Sequence, residues 1–421
     1  MNVEGALVVV VGAGYEGKRK IHARMAELGA RLVIVDEPGH WSQALVEEGI
    51  AVSWLAAPIV GDPDQDAKAV LVALAAAGVE PDGVLTFWEN SIDVCARVAA
   101  ALGLPGNPVE SVDAARSKVR TRELSERLGL PSPRAQRVRS LDELFAAAPY
   151  VRFPAVVKPE FGASAMGCVK VDSIEELPRI YSLVRSVVTP EHDGIFRAGN
   201  DLIVEEYLDG VEFDVDLVMH QGKCVFSSVS QNWPTKEPSF QETGLHCPPD
   251  HDRKAVARLV DLCVRTAQAF GLTRGVLHIE AKSTSRGPRI VEVNARMGGG
   301  RIHEYVRAVW DVDLIGAHLR TCLDLPPAIT PSRKPLCTVI NSWLYAPTTG
   351  RLVSLPIDDR PRAEGNLSAI DLEVEVGDAV EGPEAVFATK LAEVSVTGKD
   401  LKAARAVVAD VLRDPPRVEP S

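Results

Sequence analysis

The residues best suited to chemistry lie in two short alternating runs. Gly275-Val-Leu-His278-Ile-Glu280-Ala281 and Arg289-Ile-Val-Glu292-Val-Asn294-Ala-Arg296 are separated by a turn-forming stretch at 283–288. Paired about that turn as an antiparallel hairpin, they set Glu280 opposite Glu292 and His278 opposite Asn294. His278, Glu280, Glu292, Asn294 and Arg296 then share one face, and Leu277, Ile279, Val291 and Val293 take the other into a core. Carboxylates directly across a ladder stand ~5 Å apart and repel unless a cation lies between them. Magnesium accepts carboxylate and amide oxygens together with substrate phosphates, with manganese as a substitute. Glu280, Glu292 and Asn294 are therefore a candidate ligand set for a nucleotide-bound ion. Taken alone, the hairpin also fits a solvated polar face on an amphipathic ribbon.

Upstream, in order, come Lys118, Val156-Val-Lys158-Pro159, the loop Gly162-Ala-Ser164-Ala165-Met166-Gly167, Glu205-Glu206-Tyr207-Leu208, and Glu212 seven positions after Glu205. Together with Glu280 and, after eleven residues, Glu292-x-Asn294-x-Arg296, this ordered set resembles the ATP-grasp superfamily. The likeness is strongest to its carboxylate-amine branch, the L-amino-acid ligases and the carnosine-synthase-like group.

That resemblance assigns tasks which the residue types can perform. Lys118 and Lys158 would put compact positive charges on the nucleotide phosphates. Gly162, Ser164, Ala165, Met166 and Gly167 would form a mobile loop whose N–H groups approach phosphate oxygens. Glu205, Glu206, Tyr207 and Leu208 would form the hinge that reads the adenine edge, and Glu212 would accept the ribose hydroxyls. Arg296 would grip a carboxylate or a developing acyl phosphate, and His278 would support the phosphates. On the substrate side, Glu242 would face an amino group and Arg301 a second carboxylate. His246 and Gly299 would stand nearby, and Trp233 would wall a pocket or simply pack.

The implied activity is an ATP-dependent ligase. It would convert an amino-acid carboxylate to an acyl phosphate and join it to an amine, forming a dipeptide or amide with ADP and phosphate. Another ATP-grasp enzyme, of the purine-pathway or biotin-carboxylase-like kind, is the alternative. Such relatives are often homodimers through the first domain.

These residues need a scaffold, and the remaining pattern supplies an α/β one. Ala6–Val11 reads as a buried strand, Gly12–Gly17 as a turn, Ile21, Met25 and Leu28 as a helix stripe, and Leu32–Asp36 as the next strand. Further βα units make residues 1–108 a Rossmann-like domain. Ser111–Leu128 reads as one helix closed by Gly129 and two prolines. With the resemblance, residues 109–325 become an ATP-grasp domain with a lid at about 150–210, and 326–421 a small α+β subdomain whose tail, from Arg413, looks unstructured.

The first turn invites two other readings. Gly12-x-Gly14-x-x-Gly17, with Asp36 at the end of the following strand, matches a dinucleotide fingerprint and keeps an NAD-dependent oxidoreductase in view. The same glycines preceding Lys18 suggest a P-loop, but Arg19 stands where that motif needs Ser or Thr for its metal.

With 421 residues, 46% of them hydrophobic, the chain has material for about three domains. Its formal charge of -12 opposes a nucleic-acid or anionic-membrane footprint, so small amino-acid or amine substrates are the expected partners. Seven cysteines without a CxxC pair suit a reducing compartment, and the N-terminal apolar run, broken by Gly12 and Gly14, reads as a strand. The expected location is the cytoplasm.

Overall fold

The computed structural model describes residues 3–357, 365–383, 385 and 387–420, which form an α/β fold around four sheets. The N-terminal sheet is parallel, in the spatial order Ala51–Ala56, Arg31–Asp36, Leu7–Val11, Gly83–Leu85. Its strands are apolar on both faces because both are covered. Val9, Val11, Val33 and Val35 pack on Val70, Leu74, Val94 and Val98 of helices Pro63–Ala76 and Ile92–Ala101. Val8, Val10, Leu32 and Ile34 share a core with Ile21 and Met25. That core also takes in Val306, Val309, Leu314 and Leu319, from helices Ile302–Trp310 and Leu314–Cys322. The first unit is therefore welded to the central one by apolar contact.

The large sheet has eight antiparallel strands. In spatial order they are Gly287–Asn294, Gly275–Thr284, Val211–His220, Lys223–Asn232, Gly244–Cys247, Thr338–Tyr345, Lys390–Gly398 and Gly365–Leu372. Strands from beyond residue 326 thus complete the central sheet. The tail has order too, since Arg417–Glu419 pairs with Gly350–Ser354 in a three-stranded sheet.

A smaller antiparallel sheet, in the order Ala135–Val138, Leu202–Glu206, Ala155–Pro159, Val169–Val171, shares a cleft with the large one. It begins ahead of the expected lid start. Helices Leu141–Val151 and Leu177–Val187 give it a core of its own, with Leu144, Val157, Leu177, Ile180 and Phe196 buried together. A separate core is the physical basis for moving as one body.

The expected helix over 111–128 is two helices, Val109–Arg116 and Lys118–Arg127. Ser117 between them is extended (φ -94°, ψ 117°), and its hydroxyl caps the second helix by accepting from the Arg120 N–H at 3.1 Å. All seven cysteines are free thiols, and among the described residues no helix is long and apolar enough to cross a membrane.

Candidate active site

The central hairpin has the expected register: Glu280 faces Glu292 and His278 faces Asn294. Its turn is tighter than the sequence suggests, closing at Ser285 and Arg286. The odd residue is absorbed by a bulge, since Glu280 pairs with Glu292 but Ala281 pairs with Ile290. Val291 is that extra residue. Instead of entering the core it lines the cleft, while Ile290 is buried in its place.

The neighbouring strand Val211–His220 adds further carboxylates to this face. Lys282, Glu280 and His278 lie beside Glu212, Asp214 and Asp216. The alternation of these three carboxylates along one strand is readable in the sequence, yet only Glu212 was expected in the site. The face is therefore strongly acidic. Burial, Glu292, Glu212 and Asp214 together push Glu280 well above the usual carboxylate range. Burial lifts Asp214 to about 6 against His278 and the Asn232 amide. Glu242, exposed where it borders the cleft, is raised to about 7 by partial loss of water around its carboxyl and by Asp214 and Glu212.

The cations stand over this face. Lys118, buried at the start of its helix, donates to Glu292 Oε1 at 2.9 Å and to the Gly162 carbonyl at 3.0 Å. Lys158 lies 2.5 Å from Glu205, which also accepts from Arg122 Nε at 2.9 Å. Burial raises the Glu205 carboxyl, but Arg122 and Lys158 outweigh it and bring it down to about 2. The Glu205 side chain thus borders the cleft with its carboxylate held between Lys158 and Arg122.

The hinge is defined by its backbone. The N–H of Glu206 donates to Arg134 O at 2.9 Å and that of Tyr207 to Pro154 O at 3.2 Å. Among the described residues, the Leu208 N–H is left without a protein acceptor. Glu206 itself turns away to Arg286, 2.9 Å distant. Glu212 meets Lys282 at 3.4 Å.

Gly162, Ser164, Ala165 and Met166 border the same cleft as Lys118, Lys158, Glu280 and Glu292. Ser164 and Ala165 are left-handed (φ 53° and 55°), and Gly167 packs against Pro159 and Val188, closing the loop.

Two residues before Glu280 on the same strand, His278 Nδ1 lies 2.9 Å from Asp216, which is fully buried. Burial opposes charge on the ring, but Asp216, Asp214 and Glu280 prevail and raise it to about 10. A Cβ at Gly298 would stand 2.8 Å from His278 Nδ1 and 3.1 Å from Asp216 Oδ1, so any other residue there must displace this pair. Arg296 donates to Glu89, to Met297 O at 2.9 Å and to Asn294 Oδ1 at 3.4 Å. Glu89, 207 positions away in the first unit, left no local signal in the sequence.

Among the described residues, no three His, Cys, Asp or Glu side chains already surround a common point fit for a metal. The donor set nonetheless suits a divalent ion. Carboxylates of like charge are crowded on one face, and Glu292 and Asn294 are at present occupied by Lys118 and Arg296.

Three of the expected substrate-side residues do not line this cleft. The Arg301 guanidinium is held by Asp371 at 2.6 and 3.0 Å and by Glu304 on the remaining edge. His246 opens on a separate cavity beside Arg405, accepts from Trp233 Nε1 at 3.1 Å, and is held neutral by burial, which lowers it to about 4. Gly299 is exposed on the loop after Arg296 and borders no cleft carboxylate. The dinucleotide reading also fails. Asp36 spends its oxygens on the N–H groups of Ala13 and Glu37, both at 2.8 Å, and the Trp41 indole occupies the Gly14 carbonyl at 2.6 Å.

An acidic strand pair under two lysines and a glycine loop, flanked by a Rossmann-like sheet, defines a nucleotide-binding class of α/β protein, and the chain belongs to the ATP-grasp family. Residues 151–304 match the ATP-grasp domain and residues 23–106 the ATP-grasp N-terminal domain. Within that family it is similar to carnosine synthase 1 of Gallus gallus, with 35% identity over 79% of this chain and 36% of that protein. It is also similar to the alanine–anticapsin ligase of Bacillus subtilis, at 25% identity over 70% of this chain and 64% of that one. The chain thus spans little more than a third of the length of the carnosine synthase it matches. The fold superposes on the L-amino acid ligase from Bacillus licheniformis with a TM-score of 0.81 at 20% identity, covering 99% of both chains.

Proposed function

We propose that the chain is an ATP-dependent ligase that joins an amino-acid carboxylate to an amine. The observation that carries this reading is the in-register pair Glu280 and Glu292 lying under Lys118 and within one cleft with Lys158 and the 162–167 loop. A carboxylate oxygen of the first substrate attacks the γ-phosphorus of ATP, ADP departs, and an acyl phosphate remains. The second substrate's amine then attacks the acyl carbon, phosphate leaves, and the amine loses a proton.

Lys118 and Lys158 offset charge on the phosphates, and the loop at 162–167 excludes water that would hydrolyse the acyl phosphate. The Leu208 N–H reads the adenine edge, and Glu212 takes the ribose. Arg296, steadied by Glu89, and the charged His278 neutralise the transferring phosphoryl group and the activated carboxylate. Magnesium is the ion this reading assigns to Glu280, Glu292 and Asn294. When bound it supplies charge neutralisation between the nucleotide's terminal phosphates. A homodimer in the cytoplasm belongs to the same reading.

The relatives named as amino-acid ligases support this substrate class. The test is product analysis with paired amino acids. ADP and phosphate should form in proportion to a new amide, only with both amino acids and Mg²⁺ present. AMP with pyrophosphate, or stimulation by bicarbonate alone, would overturn it.

A further inference from the structure

The small sheet that carries the glycine loop has a core of its own, and among the described residues that core draws only on residues 138–204 and on Phe387. Apolar burial therefore does little to hold this lid against the bodies it meets, and polar contacts decide whether it stays down. Two of them grip it from outside the nucleotide cleft.

The first is at Lys170, on strand Val169–Val171, three positions beyond Gly167. Its ammonium lies 2.7 Å from Glu237 Oε2, and its backbone N–H donates to Pro238 O at 2.8 Å. Glu237 belongs to the loop between strands Lys223–Asn232 and Gly244–Cys247, and the Tyr207 hydroxyl orients its carboxylate from 2.6 Å. The loop is anchored farther on, where the Gln241 amide accepts from Ala388 N–H at 3.1 Å and donates to Ala388 O at 2.8 Å.

The second is at Arg197, in the turn Gly194–Ala198. Its guanidinium pairs with Glu37 of the first unit at 2.6 Å and donates to Ile59 O at 3.4 Å. The two segments meet closely, since a Cβ at Gly61 would stand 2.5 Å from Arg197 Cβ. The surface beneath is pinned: buried Asp66 accepts from the N–H groups of Val60 and Gly61 at 2.8 and 3.0 Å. Each lid cation thus meets a braced partner. Both ion pairs are partly exposed, and such pairs are individually weak, so two of them can hold a lid shut and still release it for product to leave.

We propose that Lys170 and Arg197 are positioning residues that clamp the lid shut, against Glu237 and against Glu37 of the first unit, and so keep water from the acyl phosphate until the amine attacks. This assignment rests on the ligase reading above. With the lid loose, water attacks the acyl carbon, the bond to the phosphate oxygen breaks, a proton passes to solvent and the amino acid is regenerated. ATP is then consumed without amide.

The test uses the full chain, the variants Lys170→Met and Arg197→Met singly and together, and Lys170→Arg and Arg197→Lys as charge-retaining controls, with circular dichroism to verify folding. Phosphate released per amide formed should rise about threefold in each single variant and about tenfold in the double, as expected of two separate exposed pairs, while the controls stay near the native ratio. Raising salt to about 0.5 M should move the native ratio toward that of the variants, because exposed pairs are screened. Amide and phosphate falling together at the native ratio in both single variants would overturn the assignment, since that is what a merely structural role gives. Should a methionine variant not fold, Glu237→Gln or Glu37→Gln takes its place with the same expectations.

If no amino-acid pair yields amide, the ligase reading fails separately. Hydrogen exchange with Mg²⁺ and ADP alone then decides the clamp. Residues 162–171 and 194–198 should exchange faster in the double variant than in the native chain, by about tenfold, and equal exchange refutes it.

Discussion

Removing the charge of Asp216 should make turnover pH-dependent where the native chain is flat. Asp216 Oδ1 and His278 Nδ1 are 2.9 Å apart in a buried environment, and the ring is raised from 6.5 to about 10 despite burial. At ~1.4 kcal/mol per tenfold, that rise corresponds to ~5 kcal/mol of preference for the charged ring, an order-of-magnitude figure. Asp216→Asn keeps the shape but leaves burial to pull the ring toward neutrality, opposed only by Asp214 and Glu280. Because Asp216 Oδ2 is buried without a partner, the new amide also adds ~1–3 kcal/mol of unsatisfied donor cost. Because the native pKa is raised, the pair's stabilisation is present in full below about 6.5 and fades as pH rises toward about 10. Native kcat should show no His278 titration between about pH 6 and 9. The variant should lose well over tenfold across that interval, with its midpoint near or below the unperturbed value of about 6.5. Saturating kcat profiles, with an NMR titration of the imidazole, provide the assay. A native ring titrating near 6.5, or a variant with the native profile, would refute the reasoning.

Glu205→Gln should strand Arg122 and Lys158 without counter-charge and cost ~3–5 kcal/mol, read as a lower unfolding midpoint at neutral pH. In the native chain, Glu205's depressed pKa gives stability that is present above about 4.5 and lost as pH falls toward about 2, to be seen as acid unfolding absent from the variant. Gly298→Ala should lower kcat more than tenfold (~1.4 kcal/mol or more) with the fold retained, because its Cβ would displace His278 or Asp216. Steady-state kinetics beside circular dichroism checks it, and unchanged kcat would show the loop yields freely.

The hairpin was legible because a strand's period of two dictates which side chains share a face, and that logic survives a misjudged turn. It could not foresee the bulge that turns Val291 into the cleft, since bulges answer to twist and closure across several strands. Asp214 and Asp216 alternate with Glu212 along Val211–His220 and so share its face, but only Glu212 belongs to the pattern the resemblance rests on. Arg301 misled because an exposed-loop arginine gives no sign of Asp371, seventy positions on. The Glu89 contact depends on the N-terminal sheet docking against helices from residues 302–322, a packing that no local pattern encodes. Asp36 matched its fingerprint in spacing, but the structure spends its carboxylate on the turn itself.

The central claim is that Glu280, Glu292 and Asn294 jointly hold a divalent ion against a nucleotide. Its most direct test is Mn²⁺ electron paramagnetic resonance in the presence of ADP. The native chain should take up the ion only with nucleotide, and Glu280→Ala and Glu292→Ala should each weaken uptake by about a hundredfold, or ~2.7 kcal/mol, while Glu206→Gln leaves it unchanged. Native-like Mn²⁺ uptake by both alanine variants would contradict the account.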